Sequence, residues 1–418
     1  MARRVDLEAL IRPNILAMKG PLINVPAYPN HIQPQPKSIL DRNENNLGSC
    51  LSRNDEFYSG GSTIDDLSAP IDKALLAAES QNLHRYPAPS GWQLKQQVAA
   101  FRGLPDSYMR SITLGNGSAE LIDLLVRTTC VPGKDAMLLT PPTFPLYNDR
   151  AAVNDVAVFE SKLRFVNDDF HIHVPEILEL LAQNENIKLV FLPTPGNPTG
   201  SMIPLQQIEE LLKSPVLKAL VVVDEAYIDF APGHSQSAVT LLDKYPNLVV
   251  LQTLSKSHGL AGLRFGMAFA HEFITEMLHR VQIPFTIPTP VAALANKALS
   301  PAFQQGYKAS VAKFVECREK LVDDLQTPEL VSLKVGPPIG GSHGNFVVLP
   351  VFSSEAATPI RDNARAMWAR DLLRAEFDTS VGFIGGLEGC EGCLRITVGS
   401  AEENGKLVQD LLTVFGKR

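Results

Sequence analysis

The chain has few cysteines and no excess of basic residues. Its five cysteines are an odd number among 418 residues, which gives no disulfide framework and is typical of a reducing compartment. Lysine and arginine number 38 against 45 acidic residues, so the net charge of −7 provides no basic surface for nucleic acid or for an anionic membrane. These scarcities argue against a secreted disulfide scaffold and against a nucleic-acid-binding protein.

Long apolar runs are also missing from the sequence. No run approaches the ~20 residues that a membrane span needs. Asp6 and Glu8 interrupt the apolar residues near the N-terminus, which argues against a signal peptide. We therefore predict a cytoplasmic protein with neither a membrane nor a nucleic acid as partner.

The chain does contain regular alternation of apolar runs and helical patterns. With 45% hydrophobic and 20% charged residues, it is globular and long enough for two domains. Residues 67–300 predict a large α/β domain with a mostly parallel sheet covered by helices. Residues 301–418 predict a small α+β domain, with a helix over 359–376 between two strands. Residues 1–66 predict an N-terminal helix and an extended proline-rich arm.

Two short motifs in the large domain place polar groups where predicted strands end, which is where parallel sheets bind ligands. In "LGNGSAE" a glycine-rich turn precedes Ser118 and a helix pattern, which favours an anion cradle, although a simple capped helix also fits. In "PTPGNPTG" Asn197 lies between a glycine and a proline, and an ordinary tight turn is the alternative.

Two further motifs add charge to this predicted edge. In "VVVDEAYIDF" Asp224 follows a buried strand and precedes Tyr227; it either faces a bound cation or caps the next helix. In "TLSKSHGLAGLRFG" Lys256 either forms a Schiff base with a carbonyl or is an ordinary surface lysine. Three neighbours are suited to a phosphate: Thr253, Ser255 and Arg264.

Together the four motifs match the chemistry of pyridoxal phosphate. The phosphate needs N–H donors, hydroxyls and an arginine, and the aldehyde needs an amine. The pyridine nitrogen needs a carboxylate that keeps it protonated, and the ring hydroxyl needs donors such as an amide or a phenol. We therefore predict a pyridoxal-phosphate enzyme.

At this point the chain resembles the pyridoxal-phosphate-dependent aminotransferases of fold type I, and more narrowly their histidinol-phosphate aminotransferase branch. The resemblance rests on motifs in order along nearly the whole chain: "VDLEALIRPNIL", "LDRNENNLG", "HRYPAPSG", "GNGSAELIDLL", "PGKDAMLLTPPTFPLY", "NPTG", "DEAYIDF", "TLSKSHGLAGLRFG" and "EGCLRITVG". It implies a large domain of the seven-stranded type and a transaminase that moves an amino group from an amino donor to a 2-oxo acid.

The resemblance also implies roles for single residues. Lys256 would hold the cofactor as a Schiff base and move the proton, and Asp224 would pair with the ring nitrogen. Asn197 and Tyr227 would bind the ring hydroxyl. The groups implied at the cofactor phosphate are the amides of Ser118, Ala119 and Glu120, with Ser255 and Arg264.

The remaining implied roles concern the cofactor face, the substrate and the subunit interface. Phe144 would stack on the ring. Tyr86 would reach the cofactor phosphate of a neighbouring subunit, which implies a homodimer. Arg395 would bind the acidic group of the substrate, and Asn45 would contact the substrate as well. No metal site is implied: Cys390 and Cys393 have the spacing of a metal-binding pair, but a second pair is missing from this part of the sequence.

The chain departs from the branch at two places that concern the substrate. Pro21 stands where relatives carry a tyrosine, and Gly382 and Ile384 stand where relatives carry an Arg-x-Arg pattern. A shifted alignment would offer Arg374 or Lys19 as replacement cations. Because charge-assisted hydrogen bonds contribute on the order of 1.5–3 kcal/mol each, these losses weaken binding of a phosphate dianion.

We therefore expect a diverged relative that uses a carboxylate-bearing amino acid. A histidinol-phosphate aminotransferase of histidine biosynthesis is the alternative. A decarboxylase, lyase or oxidase on the same scaffold is another, since fold alone does not decide the reaction. A non-catalytic relative is disfavoured, because such a protein has little need for the complete cofactor set.

Overall fold

The computed structural model describes residues 13–17, 37–49, 83–87, 91–232, 237–355 and 358–417. Pro21, Lys19, most of the proline-rich arm and most of the polar loop that follows it lie outside these ranges. In the described part of the chain, no helix is long and apolar enough to cross a membrane.

The strands of these ranges, in chain order, are β1 (Ser38–Leu40), β2 (Ile112–Asn116), β3 (Ala136–Leu139), β4 (Ala157–Glu160), β5 (Arg164–Val166), β6 (Asp169–His171), β7 (Ile187–Pro193), β8 (Leu220–Asp224), β9 (Leu248–Thr253), β10 (Phe265–Ala270), β11 (Phe346–Pro350), β12 (Thr379–Phe383) and β13 (Cys393–Thr397).

The α-helices are α1 (Pro13–Leu16), α2 (Trp92–Phe101), α3 (Gly117–Thr129), α4 (Leu146–Asn154), α5 (Val174–Gln183), α6 (Leu205–Lys213), α7 (Glu272–Val281), α8 (Thr289–Leu299), α9 (Pro301–Asp324), α10 (Pro328–Ser332), α11 (Asn363–Glu376) and α12 (Ala401–Gly416).

The larger sheet has seven strands in the order β2-β10-β9-β8-β7-β3-β4. Every neighbouring pair from β9 to β4 is parallel, and β10 is antiparallel to both of its neighbours. Successive side chains of β8 enter different cores: Val221 and Val223 pack on one face and Val222 on the other. Both faces of the sheet are therefore covered, as the continuous apolar runs predicted. The predicted α/β fold is confirmed.

A smaller four-stranded sheet has the order β1-β12-β13-β11. β1 pairs in parallel with β12, whereas β13 is antiparallel to β12 and β11. Its core is separate from the cores of the larger sheet and includes residues of α9, α11 and α12. The short β1 brings the segment that follows it, residues 41–49, toward the junction of the two sheets.

The helix predicted from residue 359 begins later, at Asn363. Residue Arg361 still forms a β-bridge with Phe352, and the amide of Asp362 donates to the carbonyl of Val351 at 2.9 Å. The side chain of Asp362 then accepts from the amide of Arg365 and caps the helix. The extended pairing and the cap together set the helix start, which apolar periodicity alone did not show.

Candidate active site

The four polar motifs meet at one edge of the larger sheet. β7, β8 and β9 are parallel neighbours, so their carboxyl ends coincide. Asn197 follows β7, Asp224 ends β8 and Lys256 follows β9. The antiparallel strand β10 starts at this edge, and its first residue, Phe265, is paired with Asn116 just before α3. Strand order thus brings together motifs that lie far apart in the sequence.

Lys256 is held by the segment that follows β1. Its Nζ donates a hydrogen bond to the backbone carbonyl of Asn43 at 2.9 Å and lies 5.7 Å from the centre of the Tyr227 ring. Asn45 donates from Nδ2 to the carbonyls of Lys256 and Ser257 at 3.1 and 3.2 Å. In this structure Asn45 therefore fixes the backbone of the lysine loop.

Asn43 is a site residue that the sequence analysis missed. It is 2% exposed, and its Nδ2 donates to the Tyr227 hydroxyl at 3.2 Å. Asn345 donates to the carbonyl of Asn43 at 2.8 Å. The only sequence signal for Asn43 is its place in the motif "LDRNENNLG", where any of three asparagines could have been chosen.

Asp224 is a buried carboxylate at the end of β8, with 6% of its surface exposed. Its Oδ2 accepts from the Tyr147 hydroxyl at 2.7 Å, and its Oδ1 accepts from the amide of Ala226 at 3.1 Å. Burial raises the pKa of Asp224 despite these two donors and the nearby charge of Lys256. The group thus lacks a full ionic partner within the described residues.

Tyr147 was also missed, although it ends the motif that supplied Phe144. Its ring stacks on Phe191 at 4.7 Å between centroids, which fixes the hydroxyl beneath Asp224. Phe144 is half-buried and meets Tyr147 edge to face at 5.8 Å. The start of α4 and the turn before it therefore supply both the donor to Asp224 and the aromatic side chain predicted for the cofactor face.

The start of α3 forms a tight cradle. Gly117 has a φ of +74°, and a Cβ there would lie 2.5 Å from Nη2 of Arg264. A Cβ on Gly266 would lie 2.5 Å from the amide nitrogen of Ser118. The guanidinium of Arg264 thus lies against the first turn of α3, where the amides of Ser118 and Ala119 have no helical partner. Ser255 is buried just after β9, and its hydroxyl accepts a hydrogen bond from the Thr253 hydroxyl at 2.9 Å.

Glu120 contributes to this region through its side chain. Its carboxylate accepts from the amide of Asn116, from the Thr286 hydroxyl at 3.0 Å and from Nε2 of Gln282 at 3.4 Å. The acid therefore ties the first turn of α3 to the segment after α7.

Arg395 projects from β13 toward the end of β7. Its Nη1 donates to Oδ1 of Asn197 at 2.7 Å and its Nη2 to the carbonyl of Asp41 at 2.9 Å. Burial lowers the pKa of Arg395, and its Nε has no partner among the described residues. Gly382 is the residue directly opposite Arg395 on β12. The structure thus joins the predicted substrate arginine to the predicted ring-hydroxyl ligand.

Four other residues that the sequence analysis weighed are Ile384, Cys390, Cys393 and Arg374. Ile384 is 8% exposed and packs in an apolar cluster with Cys390 and Cys393. These two cysteines are free, and burial raises their pKa values to about 12 and about 11. Among the described residues, no group of three or more potential ligands could hold a metal ion. Arg374 is exposed in the last turn of α11.

Tyr86 is 81% exposed. Its ring stacks on Phe285 with 4.6 Å between centroids. Most of the other predicted residues are buried or half-buried, whereas Arg264 is exposed as well. Within one chain Tyr86 is thus presented at the surface.

The donor set fits pyridoxal phosphate. A buried carboxylate without a full ionic partner suits a protonated ring nitrogen, and the cradle has space only because residues 117 and 266 lack a side chain. Lys256, Arg264 and the free amides of α3 supply the amine and the anion ligands that the aldehyde and phosphate require.

Comparison with known proteins agrees with this chemistry. The family model "Aminotransferase class I and II" matches residues 51–411. The chain is 38% identical to the histidinol-phosphate aminotransferase of Candida maltosa, with 98% of each chain covered. It is 34% identical to the enzyme of the same name from Schizosaccharomyces pombe, covering 88% of this chain and 97% of that one.

A similar solved structure is that of histidinol-phosphate aminotransferase from Sinorhizobium meliloti in complex with pyridoxal-5'-phosphate. It has a TM-score of 0.76 at 20% identity and covers 97% of this chain and 98% of that chain. At this identity the likeness concerns the fold.

The chain belongs to the class I and II aminotransferases. It is a pyridoxal-phosphate-dependent aminotransferase of the histidinol-phosphate aminotransferase branch, and its substrates are a small amino donor and a 2-oxo acid.

Proposed function

We propose that this aminotransferase uses an amino acid whose carboxylate is bound by Arg395, and that it discriminates against histidinol phosphate. The observation that carries the proposal is the pairing of Arg395 with Gly382. Directly opposite residues of an antiparallel pair project to the same face. Residue 382 therefore supplies no second cation beside the guanidinium, and a monoanion needs only one bidentate arginine.

The ligands of Arg395 support the same substrate class. Two of its nitrogens are already engaged by Asn197 and by the carbonyl of Asp41. A carboxylate accepts two hydrogen bonds from one guanidinium, whereas a phosphate dianion carries more charge than this single cation balances. We assign Asn45 to the support of the lysine loop beside this pocket.

We assign the cofactor ligands as follows. When bound, pyridoxal phosphate supplies an aldehyde and a ring that accepts electrons. The Asp224 carboxylate would face the ring nitrogen, and the hydroxyl of Tyr227 and amide of Asn197 would face the ring hydroxyl. The phosphate ligands would be the amides of Ser118 and Ala119, with Ser255 and Arg264; Glu120 would fix the turn that presents them.

Lys256 is assigned two tasks, holding the cofactor and moving a proton at the substrate α-carbon. Its Nζ is held 2.9 Å from the Asn43 carbonyl, close to Tyr227 and within the electrostatic influence of Asp224. Replacing Lys256 with Ala removes both tasks. Since general acid–base groups contribute roughly 10²–10⁴-fold, we expect at least that loss in kcat.

We propose that the enzyme is a homodimer in which Tyr86 acts across the interface. The side chains that support this are exposed and apolar and lie on residues 83–92 and 283–285: Leu83, Tyr86, Trp92, Ile283 and Phe285. Tyr86 and Phe285 stack on each other, and exposed apolar side chains in contact favour burial against a partner. We expect Tyr86→Ala to weaken cofactor binding even though Tyr86 is exposed in one chain.

We also propose that the chain divides into an arm of residues 1–66, a large domain of 67–300 and a small domain of 301–418. We propose that the protein acts in the cytosol. The separate cores of the two sheets support the division. The free thiols of Cys390 and Cys393 support a reducing compartment.

Histidinol phosphate is the second candidate, because the similar proteins from Candida maltosa and Schizosaccharomyces pombe carry its name. Steady-state kinetics separate the two. A panel of amino acids and histidinol phosphate is offered with one 2-oxo acid, and kcat/KM is compared. We expect an amino acid to be preferred. A kcat/KM near 10⁴ M⁻¹s⁻¹ or above for histidinol phosphate, which is the ordinary range for enzymes, would contradict the proposal.

A further inference from the structure

A buried polar cluster adjoins the lysine loop and is absent from the roles assigned above. It consists of Arg102, Asp229, Ser257, His258 and Tyr307. The last four are between 1% and 5% exposed. The five residues of the cluster come from four separate parts of the chain: the end of α2, the turn after β8, the loop after β9, and α9.

Asp229 is the centre of the polar cluster. Its two oxygens accept from Nη1 and Nη2 of Arg102 at 2.6 and 3.3 Å, and Oδ2 also accepts from the Ser257 hydroxyl at 2.7 Å. Arg102 holds the pKa of Asp229 well below its usual range, although burial alone would raise it. The carboxylate is therefore charged throughout the physiological pH range, and Ser257 is bound to a permanent acceptor.

His258 is fixed by the same serine. The single hydroxyl proton of Ser257 goes to Asp229, because a carboxylate only accepts. The contact between Ser257 Oγ and His258 Nδ1 at 3.0 Å thus requires the imidazole to donate. Burial lowers the pKa of His258 to about 4, which keeps it neutral. Its ring is stacked on Tyr307 at 4.1 Å, so the residue after Ser257 cannot turn toward the cofactor site without losing this packing.

Two members of the polar cluster are close in the sequence to predicted cofactor ligands. Ser257 is the next residue after Lys256, and Asp229 lies two residues after Tyr227. The Ser257–Asp229 hydrogen bond therefore ties the backbone that carries the amine to the turn that carries the phenol. Buried ion pairs contribute little to stability on average, since desolvation offsets their attraction. Net stability alone is thus a weak reason for this arrangement.

We propose that Asp229, anchored by Arg102 and linked through Ser257, is a positioning residue that sets the place of Lys256 relative to Tyr227. The inference rests on the proposed roles of Lys256 and Tyr227. It assigns no contact with substrate or cofactor to the polar cluster. It predicts that breaking the single link at Ser257 affects the cofactor site more than it affects the fold.

The test uses the purified holoenzyme and its Ser257→Ala and Ser257→Thr variants. Ala removes the hydroxyl and little volume, whereas Thr keeps the hydroxyl. Asp229→Asn is the second variant, and Glu276→Gln, which breaks the exposed pair with Arg280, is the matched control. The readouts are the dissociation constant of pyridoxal phosphate, the absorbance maximum of the bound cofactor, kcat, KM and Tm.

We expect Ser257→Ala and Asp229→Asn to weaken cofactor binding tenfold or more, a change of about 1.4 kcal/mol. We expect kcat to fall while KM for the amino donor stays nearly constant, and Ser257→Thr to restore both cofactor binding and kcat. The control should match the wild type. The inference is overturned if Ser257→Ala and Asp229→Asn lower only Tm, or if cofactor binding and kcat stay low in Ser257→Thr.

Lys256→Ala, measured in parallel, separates this inference from the proposed function. If it leaves cofactor binding and kcat intact, the proposed role of Lys256 fails, and the positioning of Lys256 has no consequence to measure. If it abolishes activity while Ser257→Ala behaves as wild type, only the positioning role fails.

Discussion

The ε-amine of Lys256 donates a hydrogen bond to the backbone carbonyl of Asn43, 213 residues away in the chain, at 2.9 Å. Asn43 has a φ of +52°, in the left-handed region that few side chains adopt. Its side chain meanwhile binds the hydroxyl of Tyr227. One residue from the segment after β1 thus contacts both the reactive amine and a predicted ligand of the ring.

Two substitutions at Asn43 separate its backbone conformation from its side chain. Asn43→Gly keeps the left-handed conformation but loses the amide that binds Tyr227. We expect kcat to fall about five- to tenfold, the effect of one hydrogen bond of roughly 1 kcal/mol. Asn43→Ala loses the same amide and also strains the backbone, so its free energy of unfolding should be lower than that of Asn43→Gly by about 1 kcal/mol. Urea unfolding and steady-state kinetics measure both; an alanine variant as stable as the glycine variant contradicts the conformational argument.

Tyr147 stabilises the charged form of Asp224 through a hydrogen bond of 2.7 Å. In Tyr147→Phe this donor is lost, so the pKa of Asp224, already raised by burial, should rise further. If the ring nitrogen needs the charged carboxylate, the acid limb of the kcat/KM profile moves to higher pH. Tyr245→Phe removes a similar bond to Glu209 at 2.8 Å and is the control. An unshifted acid limb in Tyr147→Phe would show that Asp224 does not govern it.

The sequence predicted the sheet, and it predicted that the polar motifs would meet at one edge of that sheet, because both depend on local patterns. Continuous β-branched runs such as β8 occur where both faces of a sheet are buried, and the polar residues that follow such strands meet at one edge. Asp224, Lys256 and the glycine-rich start of α3 could thus be found without any knowledge of contacts.

What the sequence could not predict depends on contacts between distant residues. Asn43 reaches Lys256 only because β1 pairs with β12, and a three-residue strand carries almost no periodic signal. The partnership of Arg102 with Asp229 joins residues 127 positions apart. The late start of α11 depends on a bridge between Phe352 and Arg361. In each case tertiary pairing, rather than local preference, determines the outcome.

Glu225 introduces a pH dependence of stability that is independent of the cofactor. It is 1% exposed and accepts from Ser237, Gln252 and the amide of Ala238. Burial raises its pKa from 4.5 to about 6. Between these values the folded state binds more protons than the unfolded state, so stability falls as pH rises. The contribution is fully present below pH 4.5 and is lost through about pH 6.

We therefore expect the free energy of unfolding of the wild type, minus that of Glu225→Gln, to fall by about 2 kcal/mol between pH 4.5 and pH 7.5. One pKa unit corresponds to about 1.4 kcal/mol. Urea unfolding at both pH values measures this difference. Glu319→Gln, at an exposed position of α9, should show no such change. A difference that grows with pH would reverse the sign and contradict the assignment.

Gly382→Arg tests the substrate proposal most directly. The atoms nearest to a Cβ at this position are the carbonyl oxygen of Arg395 at 3.2 Å, the carbonyl oxygen of Asp41 at 3.7 Å and the Cβ of Arg395 at 3.8 Å, so a side chain fits if the Arg395 carbonyl shifts by a few tenths of an ångström. The new guanidinium would extend along the same face as Arg395. We expect kcat/KM for histidinol phosphate to rise about 10- to 100-fold, which corresponds to one charge-assisted hydrogen bond of about 1.5–3 kcal/mol.

Two matched variants give this experiment its meaning. Gly386→Arg adds the same charge four residues away, where a Cβ meets nothing within 4 Å, and should leave the preference for substrates unchanged. Ile384→Arg puts the charge into the apolar cluster around Cys390 and Cys393, so we expect loss of stability instead of a gain in phosphate binding. If Gly382→Arg and Gly386→Arg behave alike, long-range charge explains the effect, and the glycine opposite Arg395 does not determine the substrate.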